Sequence, residues 1–211
     1  MSDFVETQSR QAYVTLERMI VTLRLKPGAR VNERALMEAC DLGRSPVREA
    51  IHKLEWQGLM AIKPRSGLVI AELRPADQIH ILETRRQLEP LAARLVAGNM
   101  SPPARQALID CAKQMTECAV TADIEGFLEA DKEFDLILEA HCPNPFLSQA
   151  LAPLQTHSRR FWFAGANAER LDRSVQLHVA VIRAMLREDG DEAESAMVRL
   201  IDGLSEMART G

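Results

Sequence analysis

Between Gln8 and Ile70 three helical stripes are separated by breakers and followed by two short strand-like runs, an order that leaves a chain few ways to fold. Ala12, Leu16, Met19, Ile20 and Leu23 recur on one face from Gln8 to Leu25, and Lys26-Pro27-Gly28 is placed to stop that helix. A second helix is expected over Glu33 to Cys40, capped by Asn32, and a third over Pro46 to Gln57 with Val47, Ile51 and Leu54 inward, Ser45 as N-cap and Pro46 in its first turn. Met60 to Ile70 reads as a hairpin, because Pro64 and Gly67 punctuate two short runs. From Pro75 onward every pattern is helical, roughly 76–98, 102–120, 124–141, 145–164, 168–188 and 192–209. Cap signals stand at Ser101-Pro102, Asp123, Asn144-Pro145, and at Asp191 with Glu194 in capping-box spacing. The expected fold class is therefore mainly α: a winged helix-turn-helix over 1–73 and an all-helical bundle over 74–211.

Charge is where the two halves part. The net charge of -4 divides unevenly: residues 1–72 carry 11 Lys and Arg against 9 Asp and Glu, net +2, and residues 73–211 carry 15 against 21, net -6. A mildly basic first half permits a polyanion as its partner. No run of 18 apolar residues occurs, and no basic region followed by an apolar stretch opens the chain, so neither a membrane span nor a signal peptide is expected and the chain is read as cytoplasmic. Cys40, Cys111, Cys118 and Cys142 form no CxxC pair, which argues for reduced thiols over disulfides or a zinc finger.

Asp41-Leu42-Gly43 makes a short turn between the second and third helices, with Gly43 able to take a positive φ. The third helix then presents Arg44, Ser45 and Arg48 in its first turn, where the helix dipole favours phosphate and arginine can match guanine in a major groove. Arg34 opens the preceding helix, and Lys63 and Arg65 flank a turn at Gly67 placed to enter the adjacent groove. The alternative is that these are solvated charges on a small helical domain; basic turn, Ser-Pro, apolar stripe and basic wing in docking order favour double-stranded DNA.

The stretch Val31-Asn32-Glu33-Arg34-Ala35-Leu36 through Gly43-Arg44-Ser45-Pro46-Val47-Arg48-Glu49-Ala50, then Leu54-Glu55 and Gly58-Leu59, resembles the DNA-binding domain of the GntR family of bacterial transcription regulators. Glu83 to Ala93, Asn144-Pro145, and His178 followed by Gly190-Asp191 and Ala193 resemble that family's FadR-type, or FCD, ligand-binding domain, so the resemblance covers nearly the whole chain. It implies operator contacts by Arg34, Arg44, Ser45, Arg48 and Gly67, a homodimer on a short palindrome, and a small-molecule effector of organic-acid type.

In the helix over 124–141, Phe127, Leu128, Phe134 and Leu138 form an apolar stripe, and Asp131 and Asp135 lie on it. Two carboxylates four residues apart on an inward face repel, and burying either unpaired costs several kcal/mol in order of magnitude, so a cation should sit between them. His178 falls on the inner stripe Val175, Val179, Ile182 and Met185 of the helix over 168–188. Asp131, Asp135 and His178 are thus a candidate three-ligand site for a divalent metal; alternatively His178 is a hydrogen-bonded core histidine and the aspartates pair with Arg85, Arg159 or Arg160. In metal-binding FCD domains the resemblance implies Asp-x3-His and His-x21-His, which fall here on Asp131, Asp135, His178 and Leu200. One His is replaced by Asp and another by Leu, so the typical four-ligand site is not intact. Either a harder ion is held with water or an effector carboxylate, or the pocket of Arg85, Asp131, Asp135 and His178 binds its effector without metal; the loss of nitrogen ligands favours the second. A metal-dependent enzyme using Asp131, Asp135 and His178 is the competing reading, but the chain offers no nucleophile, phosphate-cradling loop or oxyanion hole.

Overall fold

The structure, a computed structural model, describes residues 7–63 and 67–209. Contacts group the chain into two units, 1–74 and 75–211.

In the first unit, α1 (Gln8–Val21), α2 (Glu33–Cys40) and α3 (Arg44–Trp56) enclose a core of Ala12, Leu16, Ile20, Leu36, Val47, Ile51 and Leu54, closed by Leu59, Met60 and Ile70. α1 ends at Val21, four residues short of the expected Leu25: the Thr22 hydroxyl donates to the Arg18 carbonyl at 2.7 Å and Leu23 adopts φ 55°, so the turn closes before the Lys26-Pro27-Gly28 breaker. β2 (Met60–Lys63) and β3 (Gly67–Ile70) form the antiparallel hairpin, with Lys63 opposite Gly67. A third strand unforeseen in the sequence, β1 (Arg30–Val31), pairs with the other edge of β3, giving the order β1-β3-β2. Two residues are too few to show a period.

The turn between α2 and α3 differs in detail from expectation. Asp41, not Gly43, takes the left-handed conformation, φ 52°, and ends α2; aspartate tolerates this region because its short polar side chain bonds locally. Gly43, at φ -69°, is the N-cap of α3, so Ser45 lies inside the first turn and caps nothing. Pro46 at the third helical position omits an N–H that has no partner within the helix.

The second unit is a bundle of α4 (Pro75–Ala97), α5 (Pro102–Thr121), α6 (Ile124–His141), α7 (Pro145–Ala164), α8 (Ala168–Leu186) and α9 (Gly190–Arg209). Ser101, Asp123 and Asn144 cap α5, α6 and α7 as their spacing predicts. At α9 the expected Asp191–Glu194 box gives way to Asp189, whose carboxylate accepts from the Glu192 amide at 2.9 Å, while Glu194 pairs with Arg94 at 3.1 Å. Phe127, Phe134, Val175, Ile182, Met185, Met197 and Leu200 are buried in its interior, whereas Val179 stands only half-buried. No helix among the described residues is long and apolar enough to cross a membrane.

Candidate functional site

The tip of α3 is open at its start. Gly43 brings no capping side chain, and the exposed Ser45 hydroxyl makes no hydrogen bond to the described residues, so the first-turn amides and Ser45 face outward as donors for phosphate. Arg44 and Arg48 flank them and share one partner: Glu33, at the start of α2, accepts from Arg44 Nε at 2.7 Å and lies 3.6 Å from Arg48 Nε. The Arg44 hydrogen bond holds the Glu33 carboxyl below the usual carboxylate range. Glu33 therefore aims both arginines, a role the sequence reading missed, because Glu33 and Arg44 are eleven residues apart and meet only once the turn forms. Arg34 is fully exposed and pairs with Glu38 one turn along α2, at 2.8 Å. Lys63 is exposed at the end of β2 and Gly67 has φ 70°, the conformation that favours glycine in the wing turn. Arg65 lies outside the described residues.

Within the bundle, α6 and α8 place Asp131 and His178 face to face. His178 Nδ1 lies 2.7 Å from the Ser174 carbonyl and Nε2 2.8 Å from Asp131 Oδ1. Both neighbours are acceptors, an arrangement that favours the protonated imidazole. Burial opposes that charge, but the Asp131 hydrogen bond and charge outweigh it and raise the His178 pKa. Phe127 and Phe134 meet its ring edge-on, with centroids 5.6 and 5.7 Å away.

The cation between the two aspartates is Arg159 of α7. It donates to Asp135 and lies 3.5 Å from Asp131 Oδ2. Its other terminal nitrogen donates to Thr156 at 3.2 Å. Burial would lift both carboxyls. For Asp131, His178 first, then Arg159 and Arg85, overcome it and hold the group down at about 2. For Asp135, burial wins despite Arg159, Asp131 repels a second negative charge, and the carboxyl is pushed up to about 8. One level deeper, Arg85 of α4 donates from Nε to Glu89 at 2.7 Å and from Nη1 to Ser158 at 2.6 Å, and Gln155 donates to the other Glu89 oxygen at 2.7 Å. Glu89, Gln155 and Ser158 were not foreseen; the i,i+4 spacing of Arg85 and Glu89 was their one visible signal.

The structure thus brings Arg85, Asp131, Asp135 and His178 into one buried cluster and adds Arg159 at its centre. A cavity of about 20 Å³, room for roughly one water, opens on Arg85, Asp131, Arg159, Trp162 and His178. These residues do not fit the metal centre that the family resemblance implies: Leu200 offers no donor, His178 is tied to Asp131, and Arg159 stands where a cation would bridge Asp131 and Asp135. Among the described residues no group of three His, Cys, Asp or Glu side chains has metal-site geometry. Arg85, Arg159 and His178 thus gather cationic donors on one small cavity, a set suited to an anion, while burial pushes the Asp135 carboxyl up to about 8.

Basic side chains gathered at an open helix tip, in a three-helix unit with a β wing, are how winged helix-turn-helix proteins enter a DNA groove; the chain is of that class, a DNA-binding transcription regulator. The family described as bacterial regulatory proteins, gntR family, matches residues 8–70, the FCD domain matches residues 80–203, and the chain belongs to the gntR regulators that carry an FCD domain. The HTH-type transcriptional repressor RspR of Escherichia coli strain K12 is 25% identical, over 97% of this chain and 93% of its own length. The HTH-type transcriptional regulator YdhC of Bacillus subtilis strain 168 is 41% identical over 86 residues, which are 41% of this chain and 38% of that protein. Among solved structures, E. coli McbR/YncC shares the fold with a TM-score of 0.83 at 18% identity, covering 97% of this chain and 98% of that one. The family and these relatives are regulators, not enzymes, which sets aside the catalytic reading of Asp131, Asp135 and His178.

Proposed function

We propose that the chain is a cytoplasmic, dimeric regulator that binds a short palindromic operator through Arg34, Arg44, Ser45, Arg48 and the wing residues Lys63, Arg65 and Gly67, and that a small organic acid changes its operator affinity. The observation that carries the effector class is the Arg159 guanidinium set between Asp131 and Asp135, with Arg85 and His178 on the same cavity. An incoming carboxylate is held by the arginines and the imidazolium in place of these aspartate contacts, without a metal bridge. The cavity admits about one water, so the effector binds a more open arrangement of the bundle than the one described. That difference between two states is what couples it to DNA.

The experiment is an operator gel shift titrated with a panel of mono-, di- and hydroxycarboxylates, repeated with Arg159→Gln, with elemental analysis of protein purified without chelator alongside. A carboxylate that shifts operator affinity in the wild type and loses its effect in Arg159→Gln, with operator binding itself retained, is expected. One equivalent of metal per chain that Asp131→Ala removes, or a response that Arg159→Gln leaves intact, would overturn the arginine-held reading.

A further inference from the structure

A second cavity, of about 10 Å³, adjoins the charge cluster, and its lining includes Gln78 and Leu82 of α4, Arg170 of α8 and Met207 of α9. Ser158, Trp162 and Leu204 line both cavities and form the partition between them. On α7, Ser158, Trp162 and Gly165 fall at i, i+4 and i+7, along one face of the helix. Ser158 at one end of that face accepts from Arg85, and the Gly165 carbonyl at the other accepts from Arg170 Nη1 at 3.0 Å. Seven residues of helix set these two anchor points roughly 10 Å apart. The Trp162 indole lies midway and donates to Ser174 at 2.9 Å.

Arg170 is held differently from the arginines of the cluster. Its Nη2 donates to the Met207 carbonyl at 2.7 Å, so both terminal nitrogens rest on neutral backbone oxygens. Among the described residues no carboxylate pairs with it, whereas its neighbour Arg173 pairs with Glu206. Gly165 is what admits the guanidinium: a Cβ there would collide with Arg170 Nη1, although the backbone at φ -111° is open to other residues. Between Arg170 and the cluster the lining is mostly apolar, with Leu82, Trp162, Leu204 and Met207. A cation, an apolar passage and a second group of cations, in that order, suit a ligand charged at both ends, and exchanging carbonyls for a carboxylate gives Arg170 the stronger, charge-assisted bond. We propose that Arg170 is a second anionic subsite and that the effector is an α,ω-dicarboxylate: one carboxylate takes Arg85 and Arg159, the other takes Arg170, and the methylene chain passes where Trp162 and Leu204 part the two cavities. The proposal rests on the organic-acid reading above and adds the second charge, the chain between the charges and the residue that selects for them.

The test is isothermal titration calorimetry of the full chain with the straight-chain dicarboxylates from succinate to suberate, each beside the monocarboxylate of the same length. Wild type is expected to bind the longer dicarboxylates about tenfold or more tighter than their monocarboxylate counterparts, the gain of one charge-assisted contact. Arg170→Gln brings the dicarboxylates down to the level of the monocarboxylates and leaves the monocarboxylates within about twofold of wild type. Gly165→Ala does the same with Arg170 still in the chain, because the added methyl displaces the guanidinium, and it carries the test should Arg170→Gln fail to fold. A wild type that binds neither class overturns the organic-acid reading itself. A wild type that binds both classes alike leaves that reading standing and removes the second subsite. A dicarboxylate preference that the variants leave intact, or losses equal for the two classes, refutes the role of Arg170.

Discussion

Arg85 and Glu89 form an ion pair nearly closed to water, with side chains 7% and 1% exposed, and replacing Arg85 by Met tests how much it holds. The substitution keeps the apolar stem and removes the bonds to Glu89 and Ser158. Glu89 is then a buried carboxylate that still accepts from Gln155 but has lost its cationic partner. Breaking a buried pair from one side costs about 3–5 kcal/mol, because the surviving charge has lost its compensation without regaining water. For a unit of 75–211 that is a fall of roughly 10–20 °C in its unfolding midpoint. Glu89→Gln alone strands Arg85 and costs a similar amount. The double variant Arg85→Met/Glu89→Gln keeps an amide oxygen for Gln155, carries no stranded charge, and should return to within about 2 kcal/mol of wild type. The assay is urea unfolding followed by Trp162 fluorescence in a Trp56→Phe background, which confines the signal to the second unit. A cost below about 1 kcal/mol for Arg85→Met, or single losses that add in the double variant, would refute the account of Arg85 and Glu89 as a mutually dependent pair.

At the DNA face, Arg44→Ala is expected to cost roughly ten- to hundredfold in operator affinity and to relax preference at one base position, whereas Lys63→Ala weakens every sequence about equally. Gel shifts over a panel of operator variants separate the two, and equal losses on every variant for Arg44→Ala remove its base-reading role. In the pocket, Asp135 has its carboxyl raised to about 8, above its ordinary value, so through the intervening range the folded chain holds a proton that the unfolded chain has released. Its contribution is present at acid pH and is lost as pH rises through about 8, at most about 1.4 kcal/mol per pH unit. Asp135→Asn does not titrate; relative to wild type it should gain stability steadily from pH 5 to pH 8, and a gap that stays constant across urea midpoints at those pH values would count against the shift.

What could be read in advance follows from the range of each interaction. Helix existence, the hairpin and the inward stripes of Val47, Ile51 and Leu54, or Phe127 and Phe134, rest on periodicity within one segment, and the sequence carries them openly. β1 escaped because Arg30 and Val31 are a strand only by virtue of β3 beside them. The Ser45 cap was misread because Gly43 and Ser45 both suit a helix start, and the choice between them depends on where Asp41 ends α2. At the pocket, repulsion between Asp131 and Asp135 demanded a cation, and one was found; its identity was open among three arginines and a metal because the selection of Arg159 is made by the packing of α7 on α6. Val179 shows the converse case: a correct period placed it on the bundle face, but on the margin where α5 and α8 leave their groove open.

The position of Arg85 gives the proposed switch a route through the chain. α4 begins at Pro75, directly after the DNA-binding unit ends at Arg74, and ten residues on it carries Arg85 into the charge cluster. Arg85 is held there by Glu89 on its own helix and by Ser158 on α7, so it reports on the spacing between those two helices. An anion that draws Arg85 and Arg159 toward itself competes with the Ser158 and Asp135 contacts and shifts the balance of bonds between α4, α6 and α7. A divalent metal would pin Asp131, Asp135 and His178 rigidly and leave such an adjustment to the ligand alone, whereas a guanidinium on a flexible stem moves with what it binds. On the proposed function, a pocket with Arg159 between Asp131 and Asp135 senses its effector through displaceable hydrogen bonds, and the helix that feels the displacement is α4, which follows the first unit in the chain.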